Sequence, residues 1–478
     1  MSMKRHEFLE RMGALGVGAM ASGSGLTLLD PEAAFASRSR PHAGQTLTVI
    51  TQNGPPIASA ATAAAAPFEK LTGAKVKVIT APFSALYTKT LAEFVSGGGT
   101  YDVILGPSSW LGDYSPYVVD LTDMIHKDKS LKWNDVIYQR NGQWAGRQIA
   151  IPVDGDNQLM YYRRDILSDK SLSAAYNRFF GDGKHGIHGV AEAYRHGGQA
   201  FWYYMSNCVA HCTVPGQKGG LFFDPKDLNP LINDPGHVEG LKNYVEAVKY
   251  GPPGMINWDS NEVRQQFKNG ATVLGIDWDD TPIIGELEKG TKVKGEIGTA
   301  LLPGTKRVWN YKTGKWQNMP TLNRPAWLAF GGWAGTIPKT SHNVELAYKY
   351  LSFVASPAFS LKMVTGANTG MNPYRFSHFT NVNAWKKVGY PEPDLNLYLA
   401  AMKKSDLDPH AVQDLRMPGA ASFQDAVEVG AGKAVSGQSS PKAALDGIAS
   451  AWNQINSQKG TSKQLTAYRA SLNIGATR

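Results

Sequence analysis

The chain has little cysteine. Two in 478 residues, Cys208 and Cys212, leave room for one local bridge and exclude a disulfide-framework fold. It lacks a long hydrophobic run. The nearest candidate, "GALGVGAMASGSGLTLL" (13–29), is Gly-rich and short of the roughly 20 strongly apolar residues a spanning helix needs. It also lacks runs of five or more basic residues and any recognised nucleic-acid motif. A net charge of +9 is therefore the charge of a generally basic protein, without a nucleic-acid partner. No G-x-S-x-G, phosphate-binding loop or H-E-x-x-H is present, which removes the common serine-hydrolase, NTPase and zinc-protease readings. There is no internal repeat, and the Ala run near 60–66 is the only low-complexity stretch.

What is there fits a soluble globular protein: 42% hydrophobic and 19% charged, with 12 Trp and 20 Tyr. The length suits two domains with sizeable cores. Residues 1–36 read as an export signal, with Lys4, Arg5 and His6 at the start, a small apolar core, and "AFA" (34–36) as the cleavage site. "RHEFLERMG" is similar to a twin-arginine signal but has His6 in place of the second arginine. The expected location is the periplasm. Removing the signal changes the balance to 46 − 36 = +10.

Cys208 and Cys212 lie four apart in "NCVAHC". In an oxidising compartment a local disulfide is the leading reading, with two inert thiols beside it. A metal pair with His211 falls short of the four ligands zinc wants.

Along the chain, "TLTVIT" (46–51) is a strand and "ASAATAAAAPFEKLTG" a helix stopped by Gly73. "AKVKVITA" alternates as a strand, "SALYTKTLAEFVSGGG" is an amphipathic helix, and "YDVILG" is a short strand. This β-α-β-α-β order implies a parallel sheet covered by helices, with ligands at the carboxyl ends of its strands. Further on, "LMYYRR", "ATVLGID" and "EIGTALLPG" read as strands, "HVEGLKNYVEAVKYG" and "SNEVRQQFKNG" as helices, and 308–318 as a hairpin around Thr313-Gly314. The tail, 394–478, is mostly helical.

Directly after "ATVLGID" comes "IDWDDTPII" (276–284). Its acids suit three chemistries. Ca²⁺ takes six to eight oxygens, but D-x-D-D lacks the glycine and distal glutamate of an EF-hand loop. A glycosidase needs two carboxylates about 5–10 Å apart across a sugar. A sugar-binding loop uses carboxylates as hydroxyl acceptors beside a stacking Trp. Asp279 or Asp280 as a helix cap is the structural alternative.

Six segments in order carry a family resemblance: "LAEFVSGGGTYDVI", "WLGDYSPYVVDLTDMI", "IAIPVDGDNQLMYYRRDIL", "VRQQFKNGATVLGIDWDD", "GGWAGTIPKTSHNVELAYKYLSFVASPAF" and "ASFQDAVEVGAGKAVSGQSSPKAALDGIASAWNQI". They resemble the bacterial extracellular solute-binding proteins of ABC importers, in the sugar-binding group that includes maltose-binding protein.

The resemblance implies an α/β fold of two lobes with a hinge and an interlobe cleft that closes on ligand. It places one lobe over 46–151 and 304–370 and the other over 152–303 and 371–478, with crossings near 150–153 and 300–304. It implies a small-molecule ligand, most simply a sugar or polyol, and no cofactor, catalysis or metal. The partners would be a pair of inner-membrane permease subunits with a separate ATPase, the protein itself acting as a monomer.

Loop position then nominates ligand-binding residues. Asn53 follows the first strand and Phe83 the second; Ser108, Ser109 and Trp110 follow the third. Asp154, Asp156 and Asn157 follow the first crossing, and Asp277, Trp278, Asp279 and Asp280 the later strand. Trp333 sits after two glycines, with Asn372, Tyr374, Arg375, Arg416 and Phe423 as further candidates. The competing readings are the same fold holding a polyamine, a sugar phosphate or a metal-dependent anion, and an exported carbohydrate-active enzyme using the 277–280 acids.

Overall fold

The computed structural model describes residues 41–54, 56–169, 186–472 and 474, and the export signal read at 1–36 lies outside them. His42–Arg478 forms one compact unit. Among the described residues no helix is long and apolar enough to cross a membrane.

Two sheets organise this unit. The first has the order β2-β1-β3-β9-β4. Its strands are β1 (Thr46–Gln52), β2 (Lys75–Ala81), β3 (Val103–Pro107), β4 (Ile151–Pro152) and β9 (Trp333–Thr336). β1 runs parallel to β2 and β3, while β9 lies antiparallel between β3 and β4. The crossover helices α1 (Ala58–Thr72) and α2 (Phe83–Ser96) end at Gly73 and Gly97, whose left-handed φ values of 83° and 69° favour residues without a Cβ.

The second sheet has the order β8-β5-β7-β6, from β5 (Gln158–Arg163), β6 (His188–Ala191), β7 (Thr272–Trp278) and β8 (Ile297–Ala300). Helices α3 (Ala200–Cys212), α4 (Pro235–Ala247), α5 (Ser260–Lys268) and α6 (Thr281–Leu287) accompany it. A capping box fixes the start of α5: Asp259 accepts from Asn261 N–H, and Glu262 from the Asp259 backbone.

The chain passes first from β4 to β5 through 153–157. The second passage comes later than 300–304. The hairpin Thr305–Asn310/Lys315–Asn323 packs on α3 and α4 of the second sheet. Asn323 Nδ2 donates to the Ala210 and Thr213 carbonyls, and Trp309 Nε1 to Asp234. The return is therefore made after 323, towards β9. The tail folds back as helices: α7 (Glu392–Asp406) packs on β8, and α8 (Ala420–Val435) pairs with α9 (Pro441–Lys459).

The passages touch closely. A Cβ on Gly155 would lie 2.3 Å from the Pro373 carbonyl oxygen, and one on Gly332 would lie 2.2 Å from that of Asp154. Gly332 also has φ +70° and follows Phe330 and Gly331, both left-handed. Only glycine suits that position.

The disulfide reading is corrected here. Cys208 and Cys212 are free, buried thiols. They sit one turn apart on α3, where side chains four residues apart hold their Cβ atoms about 5–6 Å from each other, beyond the reach of a bridge. Gly236 and Gly240 of α4 press on them; Cβ atoms there would meet Cys212 Sγ at 2.9 Å and Cys208 Sγ at 2.4 Å. The cysteines act as small apolar residues at a close helix crossing. Burial pushes both thiols up, away from the reactive thiolate. His211 contacts Asn243 instead of joining them.

Candidate functional site

Strand ends from both sheets converge on a cavity of about 340 Å³. Gln52 and Asn53 come from the end of β1, and Phe83 from the first turn of α2, just beyond β2. Asp156 comes from the 153–157 passage and Trp333 from the start of β9. The second sheet supplies Asp280 after β7, Arg264 on α5, and the Arg195–Gln199 and Asp259–Asn261 loops.

Five of the eighteen ligand-binding residues nominated from sequence thus line one cavity: Asn53, Phe83, Asp156, Asp280 and Trp333. Phe83 packs against Trp110, Trp202, Phe330 and Trp333 at centroid distances of 5.4–6.3 Å, giving the cavity an aromatic wall.

Asp280 occupies the N-cap position of α6, yet its carboxylate makes no cap bond. It accepts from Arg264 Nη2 at 2.8 Å, deep in the wall. Arg264 Nε, 3.7 Å from Asp277, has no hydrogen-bond partner among the described residues, and neither does Asp280 Oδ2. Burial pushes Asp280 up while Arg264 pulls it down, and the net is a raised carboxyl. Burial works against the Arg264 charge, but Asp280 and Asp277 outweigh it and hold the guanidinium protonated. Asp156 Oδ2 is a third buried atom without a protein donor. Three residues that line the cavity thus each hold a buried polar atom without a protein partner, one donor and two acceptors, in a wall that also carries Phe83 and Trp333. Arg195 pairs with Asp259 at the rim.

The other nominated residues lie behind this wall or away from it. Asp277 is fully buried and spends its carboxylate on Tyr203, Thr281 and the Trp278 amide. Trp278 stacks on Phe330 at 4.3 Å and reaches the site only through Gln199, to which its indole N–H donates. Trp110 and Ser109 are core residues beside Tyr87 and Phe330. Asn157 bridges Asp406 and Tyr138. Asp154 accepts from the Asn372 amide, and Asn372 Nδ2 reaches Asp156 and Asp279. Tyr374 packs edge-on against His378. Arg375 donates to Asp135 and to the Leu131 and Ala355 carbonyls. Arg416 donates to the carbonyls of Arg140, Asn141 and Gln143. It lines a separate, broader groove of about 1690 Å³ that contains no other nominated ligand residue.

The 277–280 acids thus point three ways, to Tyr203, Asn372 and Arg264, and do not converge. Among the described residues no group of three or more His, Cys, Asp or Glu is arranged to hold a metal ion.

Sequence reasoning missed Arg264, Gln199, Arg195 and the Asp259–Asn261 turn. The capping box was visible in "DSNE", and Arg264 adjoins the apolar positions Val263 and Phe267 of a short polar helix. Which flank of that stripe meets Asp280 depends on how α5 sits on β7.

The fold is shared with solved solute-binding proteins. An ABC transporter solute-binding protein from Agrobacterium radiobacter, in complex with ribitol, matches 87% of this chain and 100% of its own with TM-score 0.72 and 24% identity. Maltose-bound MalE3 of T. maritima matches 86% and 100% with TM-score 0.69 and 20% identity. An Agrobacterium vitis protein with bound D-mannitol matches 87% and 99% with TM-score 0.68 and 20% identity. A Deinococcus radiodurans protein described as a probable ABC transporter-binding protein is 25% identical over 253 residues, 49% of this chain; the match spans 57% of that relative's length. The family model for bacterial extracellular solute-binding proteins matches residues 52–359. That is well over half of the chain, and the protein belongs to the bacterial extracellular solute-binding protein family.

Proposed function

We propose that this protein captures a small neutral carbohydrate, a monosaccharide or polyol, between its two lobes. It would hand the ligand to a membrane permease driven by a separate ATPase. The observation that carries this reading is the 340 Å³ cavity lined by Phe83 and Trp333 together with Arg264, Asp280 and Asp156, whose Nε, Oδ2 and Oδ2 atoms have no partner among the described residues. Adjacent hydroxyls both donate and accept, so one guanidinium donor beside carboxyl acceptors matches a vicinal diol. Sugar C–H faces suit the aromatic wall. The volume is at the low end for small-molecule pockets, which favours one sugar unit over an oligosaccharide.

Charge pairing favours a neutral ligand over a polyamine. Asp280 is matched by Arg264 and Asp259 by Arg195, which leaves Asp156 as the one acid of the lining without a cationic partner among the described residues. Ribitol, D-mannitol and alpha-D-tagatose in structural neighbours are ligands of this size class.

In this reading the protein is exported, works in the periplasm as a monomer and performs no catalysis. The Asp277 carboxylate is consumed by internal hydrogen bonds, which counts against its use as one of the two carboxylates of a glycosidase. A thermal-shift screen of residues 37–478 with monosaccharides, polyols, oligosaccharides, polyamines and sugar phosphates tests it. The expected result is a shift with a monosaccharide or polyol. A shift with polyamines alone would replace the ligand class.

A further inference from the structure

Behind the cavity the first passage carries Asp154 and Asp156 on either side of Gly155, both buried. Both carboxyls are held by one residue, Asn372, and among the described residues the Oδ2 of each is buried without a hydrogen-bond partner. Two acceptor-only carboxylates held this way repel, and one shared proton would make one of them a donor. The donors around them lead to the same result. Asp154 Oδ1 accepts from Asn372 N–H at 2.5 Å and Asp156 Oδ1 from Asn372 Nδ2 at 3.1 Å. Asn372 Nδ2 is also spent on Asp279, and the Oδ2 of each dyad member has no protein donor.

Among the described residues no cation pairs with the dyad. Arg264 serves Asp280 and Asp277, Arg375 serves Asp135, and Arg416 serves backbone carbonyls. The titratable groups facing it from other elements are Asp279 and Asp280 beyond β7, Asp406 at the end of α7, and the hydroxyls of Tyr138 and Tyr374. The carboxyls among them disfavour a second charge. The dyad also sits where the first passage meets the return at Gly332, which abuts the Asp154 carbonyl, and where Pro373 packs against Gly155.

We propose that Asp154 and Asp156 share one proton, and that ligand capture in the cavity Asp156 lines requires it. The second clause rests on reading that cavity as the ligand site. Losing the proton would set two like charges side by side in the contact that joins the lobes. Burial supports retention, pushing Asp154 up to about 7 and Asp156 well above the usual carboxylate range. The pair titrates as a unit.

Asp154→Asn is the informative variant. Asp154 does not line the cavity, and an Asn side chain keeps the acceptor for Asn372 while giving Asp156 a permanent N–H donor. Infrared spectra of ligand-free protein at pH 7 should show a protonated-carboxyl band that the variant loses. Titration calorimetry with D-mannitol and ribitol from pH 5 to 9 should show wild-type affinity falling about tenfold per pH unit above the release point. In Asp154→Asn that pH dependence should be absent. No band difference would overturn the shared proton, and wild-type affinity flat across this range would overturn its role in capture. If neither polyol nor any sugar binds at any pH, the capture claim falls with the ligand reading, and the infrared band alone decides the dyad.

Discussion

Arg264 donates to Asp280 at 2.8 Å from inside the wall of the interlobe cavity, and each partner keeps one polar atom without a protein bond. In the proposed function the pair is both a structural element and a recognition device. Removing one member of a buried pair costs about 3–5 kcal/mol. Asp280→Ala should therefore lower stability by an amount of that order and abolish ligand-induced stabilisation. Arg264→Leu should also abolish the ligand response. Urea unfolding with and without ligand checks both; full ligand response in either variant would remove the pair from the site.

Ligand size is the second prediction. A monosaccharide or polyol at about 100 times its dissociation constant should stabilise the protein by roughly 2.7 kcal/mol. Maltotriose and longer chains should give no shift. Equal shifts with long oligosaccharides would mean that the site extends beyond the 340 Å³ cavity.

Stability should fall as pH rises above the acid range. Burial pushes Asp406 up to about 8, so the folded chain keeps a proton that the unfolded chain releases near 4. A raised carboxyl contributes stability below its unfolded value, and that contribution is lost as pH rises through the folded value. The window for Asp406 is about pH 4–8, with a slope of up to about 1.4 kcal/mol per unit for one group. Asp406→Asn keeps an acceptor for Asn157 and Tyr138 and should flatten part of this slope. Urea midpoints at pH 5 and 8 test it; an unchanged difference between the two would contradict it.

The thiols give a simple check of the helix crossing. Neither Cys208 nor Cys212 should react with a thiol reagent in the folded protein, both should react in denaturant, and reductant should leave Tm unchanged. Gly240→Ala should cost about 1–3 kcal/mol, because its methyl would meet Cys208 Sγ at 2.4 Å and Cα at 2.8 Å. A Tm drop with reductant alone would reinstate a bridge.

Gly332→Ala joins a left-handed φ to a 2.2 Å approach to the Asp154 carbonyl. The backbone alone costs about 1–3 kcal/mol, and the clash adds to it. The expected outcome is a variant that folds poorly or loses ligand response. Wild-type thermal stability and ligand response would show that the passages are not locked here.

Much of the architecture was legible in the sequence. Period-two strands, glycine helix stops and the β-α-β-α-β order predicted the first half of the first sheet, and Asn53 and Phe83 followed from the strand-end rule. Polar residues near the site were harder. Asp277, Asp279 and Asp280 are adjacent in sequence, yet only Asp280 faces the cavity. The other two are captured by Tyr203 and Asn372, which come from distant segments. Trp278 and Trp110 look like platforms in a one-dimensional reading and are core, because Phe330 and Tyr87 cover them. Arg264 reads as a solvated helix residue until β7 and α5 are docked. Partner identity, and not residue type, separates a ligand contact from a buried brace.

The position of β9 in the first sheet bears on how the protein is made. β3 ends at residue 107, and its neighbour on one side is β9, which spans 333–336. While the intervening residues are being synthesised, one edge of β3 has no mate. The first sheet closes only after most of the chain has left the ribosome.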